Sequence, residues 1–121
     1  MAIVKPNITQ LDDRDGSVLK YEWTLTGTDD GAPIPMTQWA DRTVHMTGTW
    51  GGGTVVFEGG NQGVAGDYQT LTDVQTVAII KTANSLEQVA EITEWARPRA
   101  TVAVGSVLVT LVARRQNPMR T

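Results

Sequence analysis

Residues 41–58 constrain the fold more than any other stretch. They read Asp-Arg-Thr-Val-His-Met-Thr-Gly-Thr-Trp-Gly-Gly-Gly-Thr-Val-Val-Phe-Glu. In the first half Thr43, His45, Thr47 and Thr49 alternate with Val44, Met46 and Gly48. A period of two puts successive side chains on opposite faces of a β-sheet. In the second half Thr54, Val55, Val56 and Phe57 are β-branched or aromatic, types that suit a pleated, half-buried surface. Between them lie Trp50 and three glycines, Gly51, Gly52 and Gly53, which supply the φ > 0 positions of a tight turn. The stretch therefore predicts a β-hairpin turning at Trp50 to Gly53.

The same signature repeats along the chain. Residues 1–16 predict an extended arm, since Pro6 disfavours helix and Asp12-Asp13-Arg14-Asp15-Gly16 is a polar turn. Residues 18–28 predict a long strand, with Leu19, Tyr21, Trp23 and Leu25 toward a core and Lys20, Glu22, Thr24 and Thr26 toward water. Pro33 and Pro35 suit the loop or sheet edge that follows. Residues 59–67 form a glycine-rich loop, and residues 68–71 a short strand. Residues 74–82, with Val77, Ala78, Ile79 and Ile80 apolar on both sides, predict a strand covered on both faces. Residues 84–95 are ambiguous: Leu86, Val89, Ala90 and Ile92 approximate helical spacing, while the strands on either side argue for strand or turn. Residues 100–103 and 106–113 predict a second hairpin, around Val104-Gly105. The tail, residues 114–121, is basic and breaks regular structure.

Seven to nine strands with turn signals about every 8–12 residues, and at most one short helix, predict an all-β fold. It is an antiparallel β-sandwich in a single domain covering residues 1–121, with the arm 1–16 and the tail 114–121 outside its body. The 14 valines and 17 threonines, a quarter of the 121 residues, support strand over helix.

Bulk chemistry narrows the function. A net charge of −3 gives no general drive toward nucleic acid or anionic membrane. The absence of cysteine removes disulfides, thiolate metal sites and cysteine catalysis, and fits synthesis in a reducing cytoplasm. The first residues show no charged leader before an apolar run, which argues against a signal peptide, and no window reaches the length of a membrane helix.

Candidate chemistry is sparse. His45 stands alone on a threonine-rich strand face, without the partners of an acid–base pair or a zinc site. Asp12, Asp13, Asp15, Asp29 and Asp30 resemble a fragment of a calcium loop, but Asp is also an ordinary turn residue. Gly59-Gly60-Asn61-Gln62-Gly63 lacks the Lys-Ser/Thr and the helix of a phosphate cradle. On these grounds no cofactor, no metal and no enzymatic activity are expected. Among the tryptophans, Trp23 reads as core, whereas Trp39 and Trp50 flank loops and leave open a sugar-stacking surface. The tail arginines suit the carboxylates of a protein partner better than nucleic acid.

Several of these pieces occur in a recognisable order. Thr47-Gly48-Thr49-Trp50-Gly51-Gly52 is followed by Tyr68-Gln69-Thr70-Leu71-Thr72-Asp73, then by Trp95-Ala96-Arg97-Pro98-Arg99, then by a final apolar strand ending in Arg114-Arg115. This order resembles the small decoration or cement proteins of tailed-bacteriophage capsids, over about residues 42–115. The loop at Gly60-Asn61-Gln62-Gly63 is longer than the family's usual turn, and residues 1–41 are not matched. The resemblance implies a jelly-roll-like sandwich on the outside of the capsid, made in the host cytoplasm, that bridges subunits of the major capsid protein. It implies a homo-oligomer, with a dimer favoured over a trimer.

The contact residues expected on this reading are Ile3, Val4, Lys5, Ile8 and Leu11 of the arm, exposed Trp39, and Arg114, Arg115, Met119 and Arg120 of the tail. Trp50, Arg97 and Pro98 are expected to shape the turn and the start of the later strand. The alternative is a carbohydrate- or receptor-binding sandwich of a phage tail or fibre.

Overall fold

A computed structural model describes residues 2–11 and 18–115. Residues 12–17 and 116–121, and with them the predicted sites Met119 and Arg120 and the acidic cluster Asp12, Asp13 and Asp15, lie outside the described residues. The strands are β1 (Ile3–Val4), β2 (Asn7–Gln10), β3 (Val18–Gly27), β4 (Asp30–Gly31), β5 (Ile34–Pro35), β6 (Trp39–Thr49), β7 (Thr54–Gly60), β8 (Gln69–Thr70), β9 (Ile80–Lys81), β10 (Ser85–Gln88), β11 (Trp95–Val102) and β12 (Val104–Arg115). A single 3₁₀ turn, Ala65–Asp67, is the only helical element described. A seven-stranded sheet runs β1-β4-β11-β7-β8, with β5 on β11 and β9 on β7; a five-stranded sheet runs β10-β6-β12-β3-β2. All the pairings are antiparallel except β1 with β4. The fold is an all-β, jelly-roll-like sandwich.

Neither predicted hairpin is one. β6 pairs with β10 and β12 in the five-stranded sheet, and β7 pairs with β11, β8 and β9 in the other. The turn at Trp50 to Gly53 therefore carries the chain from one sheet to the other. So does Ala103, the single residue between β11 and β12. Alternation marks strands but does not say which strands pair, so a sheet-crossing corner and a hairpin look alike in sequence. Together β6–β7 and β11–β12 form one long antiparallel ribbon that folds over on itself. At the bend the ribbon's register slips between Ala100 and Val102 against β7, and β12 slips against the neighbouring β3 between Val104 and Val107. Bulges of this kind sharpen the bend of a strand.

The bend depends on glycine. A Cβ on Gly53 would stand 2.3 Å from the Ala103 carbonyl oxygen, and one on Gly48, whose φ is 148°, would stand 2.1 Å from the Ser106 carbonyl oxygen. Asn84 straps the corner from outside: its Oδ1 accepts the Gly48 N–H (3.1 Å) and the Trp50 indole N–H (2.9 Å).

The core between the sheets is filled by Trp23, Leu25, Met46, Phe57, Ile79 and Leu111, all fully buried. Each such side chain contributes about 1.5–3 kcal/mol relative to exposure. The Trp23 indole N–H is satisfied by the Ala32 carbonyl at 3.1 Å. Residues 84–95 form no helix, because Leu86 pairs in register with His45 along β10 and β6. Residues 74–82 form a strand only at β9, and Val77 and Ile80 are about half exposed rather than covered.

Trp39 is buried, not exposed, with 1% of its surface accessible. Arg114 faces Asp41 across β12 and β6, but its neighbour Arg115 faces Trp39, so Ala40 is an extra residue. That bulge turns Trp39 to the inner face, where its ring meets Tyr21 edge-on at 6.4 Å.

Replacing Gly53 by Ala should cost about 3 kcal/mol in a urea unfolding experiment, since the clash is with backbone. Gly63→Ala, where a Cβ meets nothing within 4 Å, should leave the midpoint nearly unchanged.

Candidate interaction surface

The N-terminal arm is paired along both sheets. β1 lies on the edge of the seven-stranded sheet, with Ile3 opposite Asp30 and Val4 opposite Gly31. Backbone bonds Asp30 N–H to Ala2 C=O (2.9 Å) and Ala32 N–H to Val4 C=O (2.7 Å) hold it there. The Asp29 carboxylate accepts the Ala2 amide (3.0 Å) and both the amide and the hydroxyl of Thr26. Burial raises the Asp29 carboxyl, but these bonds outweigh it and hold its pKa below the ordinary carboxylate value. The chain then crosses at Lys5 and Pro6 to the other sheet, where β2 pairs with β3. Val4 packs against the core and Lys5 is exposed. Ile3, Ile8 and Leu11 stay 68%, 60% and 47% exposed, so the arm is anchored by backbone and leaves its large apolar groups outside.

Leu11 and Arg114 lie in one row across the end of the five-stranded sheet, with Val18 between them. Leu11 donates its N–H to Val18 C=O (2.9 Å), Val18 faces Arg114, and Arg114 faces Asp41. Arg114 donates to the Asp41 carboxylate through Nε at 3.0 Å and again through its terminal nitrogen. Beside this pair an open depression of about 370 Å³ is lined by Thr43, Gln88 and Val112. Ile3 lies on the other sheet, so the predicted contact residues divide between the two sheets.

The opposite lateral edge carries apolar groups that the sequence reading passed over. Val74, Val77, Ile80, Leu86 and Ile92 are all at least half exposed. Asp73 builds the loop that presents two of them, its Oδ1 accepting the amides of Gln75 (2.8 Å) and Val77 (3.0 Å). The Asx-turn pattern was readable at Asp73; the exposure of the valines was not.

The outer face of the seven-stranded sheet is ionic. Glu58, 3% exposed, accepts from Arg97 Nε at 2.7 Å and from Arg99 Nε at 3.2 Å, while Arg97 also lies 3.6 Å from Asp30. The Arg97 guanidinium sits 5.6 Å from the centre of the Tyr68 ring. Arg97 thus ties β11 to β7 and β4. Pro98, on the inner side, is buried against Gly31. A second buried cation, Arg42, donates to the carbonyls of Trp39 (2.9 Å), Val89 (3.2 Å) and Glu91 (2.7 Å). Burial lowers its pKa, against the opposing charges of Asp41 and Glu91.

The Glu91 carboxylate accepts the Thr72 amide (2.7 Å) and hydroxyl (2.5 Å). Burial raises it, but those bonds and Arg42 prevail, so its pKa is lowered. His45 stands exposed on the outer face, in register with Thr110 and Leu86. Among the described residues no three His, Cys, Asp or Glu side chains gather as a metal donor set.

Comparison with known proteins bears on the fold. The chain superposes on the SPBc2 prophage-derived protein YomS with a TM-score of 0.57 at 14% identity, covering 79% of this chain and 93% of that one. It is similar to a cupin domain from Bordetella pertussis Tohama I, with a TM-score of 0.50 at 12% identity over 94% of each chain. It is also similar to oxalate oxidase in complex with glycolate, with a TM-score of 0.52 at 12% identity, over 93% of this chain and 52% of that one. The architecture is that of the cupin-like sandwiches. No protein-family model and no curated protein matches the sequence.

The expectation that the chain is not an enzyme does not stand. It rested on the lack of a legible acid–base set, and an enzyme, oxalate oxidase, is built on the same sandwich. At these identities the likeness shows the fold alone.

Removing Glu58 takes the nearest carboxylate from the nearly buried Arg97 guanidinium and from the partly exposed Arg99 beside it. Glu58→Ala should therefore lose about 3–5 kcal/mol of unfolding free energy, and Glu58→Leu combined with Arg97→Met should recover part of it. Because Glu91 has a lowered pKa when folded, its contribution is present above the unfolded carboxylate value of about 4.3 and is lost as pH falls through the folded value. Urea midpoints measured across the acid range should thus fall less steeply for Glu91→Ala than for the unaltered chain.

Proposed function

We propose that the protein is a structural component of a bacteriophage virion that binds the outside of the capsid and bridges neighbouring copies of the major capsid protein. The observation that carries this reading is the lateral edge formed by β1 and β2. There Ile3, Ile8 and Leu11 are exposed on backbone that is held to the body along one side by pairing with β4 and β3. Exposed apolar groups of this size, grouped on one edge, mark interaction sites more often than chance. Held on strands, they lose little conformational entropy when a partner covers them. The order of motifs along residues 42–115 and the likeness in fold to a prophage-derived protein support the phage context. A protein bound only to assembled shells stabilises them by mass action, which is how a cement protein would act. On this reading it resides on the capsid surface after synthesis in the host cytoplasm.

The test is co-sedimentation with empty capsids of the cognate major capsid protein. Saturable binding at a fixed ratio, with raised resistance of the shell to heat, is expected. Ile3→Asp combined with Leu11→Asp should weaken binding at least tenfold while leaving the fold intact. Absence of binding by the unaltered chain, or equal binding by the double variant, would overturn the proposal. Point variants are required because deleting the arm would strip pairing partners from both sheets.

A further inference from the structure

The edges of the two sheets are protected unequally. Those of the seven-stranded sheet end in β1, β8 and β9, each only two residues long. β10, one edge of the five-stranded sheet, carries Glu87, engaged by Lys81 at 2.6 Å. Short strands and charges are the usual devices that stop sheets from pairing edge to edge. β2, at the other edge of the five-stranded sheet, has neither. Its residues Asn7, Ile8, Thr9 and Gln10 are uncharged, and all of them are exposed.

The geometry around Ile8 is more specific. Leu11 donates its N–H inward to Val18. In an antiparallel ladder the backbone groups alternate, so those of Ile8 point outward, away from β3. Ile8 is in register with Tyr21, which places its side chain on the core-facing side of the sheet. It is nevertheless 60% exposed, because the opposing sheet has only two-residue β1 at that edge. An outward backbone edge and an overhanging apolar side chain therefore coincide at one residue.

We propose that β2 pairs with β2 of a second copy of this chain, antiparallel about a two-fold axis at Ile8, joining two five-stranded sheets into one. Each Ile8 then exchanges N–H···O bonds with the other, and the two side chains cover each other at the open rim of both cores. Asn7 of one copy faces Thr9 of the other. The contact is isologous and self-complementary, and it places no charge against a like charge. Pro6 has no N–H to contribute and limits the pairing at that end. The arrangement stands or falls on the isolated protein, independently of capsid binding.

Sedimentation equilibrium of the full chain should give a species of twice the 13.1 kDa chain mass. Ile8→Lys should weaken association at least tenfold with an unchanged circular dichroism spectrum. Since the chain has no cysteine, single cysteines give a clean register test. Opposed residues of a hydrogen-bonded pair have Cα atoms about 5.5 Å apart, within disulfide reach, so Ile8→Cys should cross-link on mild oxidation. Thr9→Cys, two residues out of register with itself, should not. A monomer at all concentrations, a dimer unaffected by Ile8→Lys, or cross-linking of Thr9→Cys as fast as Ile8→Cys would overturn the proposal. Should Ile8→Lys misfold, the cysteine pair decides alone.

Discussion

The close approach of two backbones at the bend of the ribbon is the constraint on which the rest of the molecule depends. β6–β7 and β11–β12 run beside each other through two sheets, and they can only change sheets together. At the crossing the chain at Gly48 and Gly53 lies against residues 103–106 without room for a side chain. Fixing that crossing brings β3 and β10 onto the flanks of the five-stranded sheet and β4 and β8 onto those of the other. It also sets which alternate residues face inward, from Trp23 on β3 to Phe57 on β7.

Much of this was legible in the sequence, and the failures have a common cause. Strand positions and inward faces follow from a period of two, and Trp23, Leu25, Val44 and Met46 lie where that period puts them. Pairing does not follow from it. The glycines after Trp50 correctly announced a sharp turn, yet nothing local distinguishes a return within one sheet from a step across the core. Trp39 failed for a related reason. It reads as a residue beside a loop, whereas β6 begins there and the extra residue at Ala40 sets the ring on the inner face, a placement that no local pattern announces. The arm residues Ile3, Ile8 and Leu11 were legible as exposed apolar groups, but their pairing to both sheets depends on partners distant in sequence.

The buried charges show how irregular segments are held to so regular a core. Arg42 satisfies backbone carbonyls of Trp39, Val89 and Glu91, where the chain has left β10 and makes no continuous ladder. A guanidinium with several donors substitutes there for the missing strand partner. The Glu91 side chain then reaches back to Thr72 and fixes the loop bearing Val74 and Val77. On the outer face of the seven-stranded sheet, Arg97 joins β11 to both neighbours through Glu58 and Asp30. Burying ions offsets much of their attraction, so the net stabilisation by these contacts is small even though removing one partner is costly.

The distribution of apolar surface follows from the same topology. Sheet faces are long, so their outer sides collect the polar half of each alternation: Lys20, Glu22, Thr43 and His45 on one sheet, Glu58, Arg97 and Arg99 on the other. A lateral edge has no such partition, because the two sheets end there at different widths. Where β2 overhangs β1, an inward-facing position such as Ile8 meets no opposing layer and becomes surface. The residue type is what a core position calls for; the exposure arises from the unequal width of the sheets. An apolar edge of this origin cannot be made polar without also removing the side chain that continues the core toward its rim. Covering the edge is the way to reduce the exposure without any change in the fold, and that is the physical basis of the pairing proposed at Ile8.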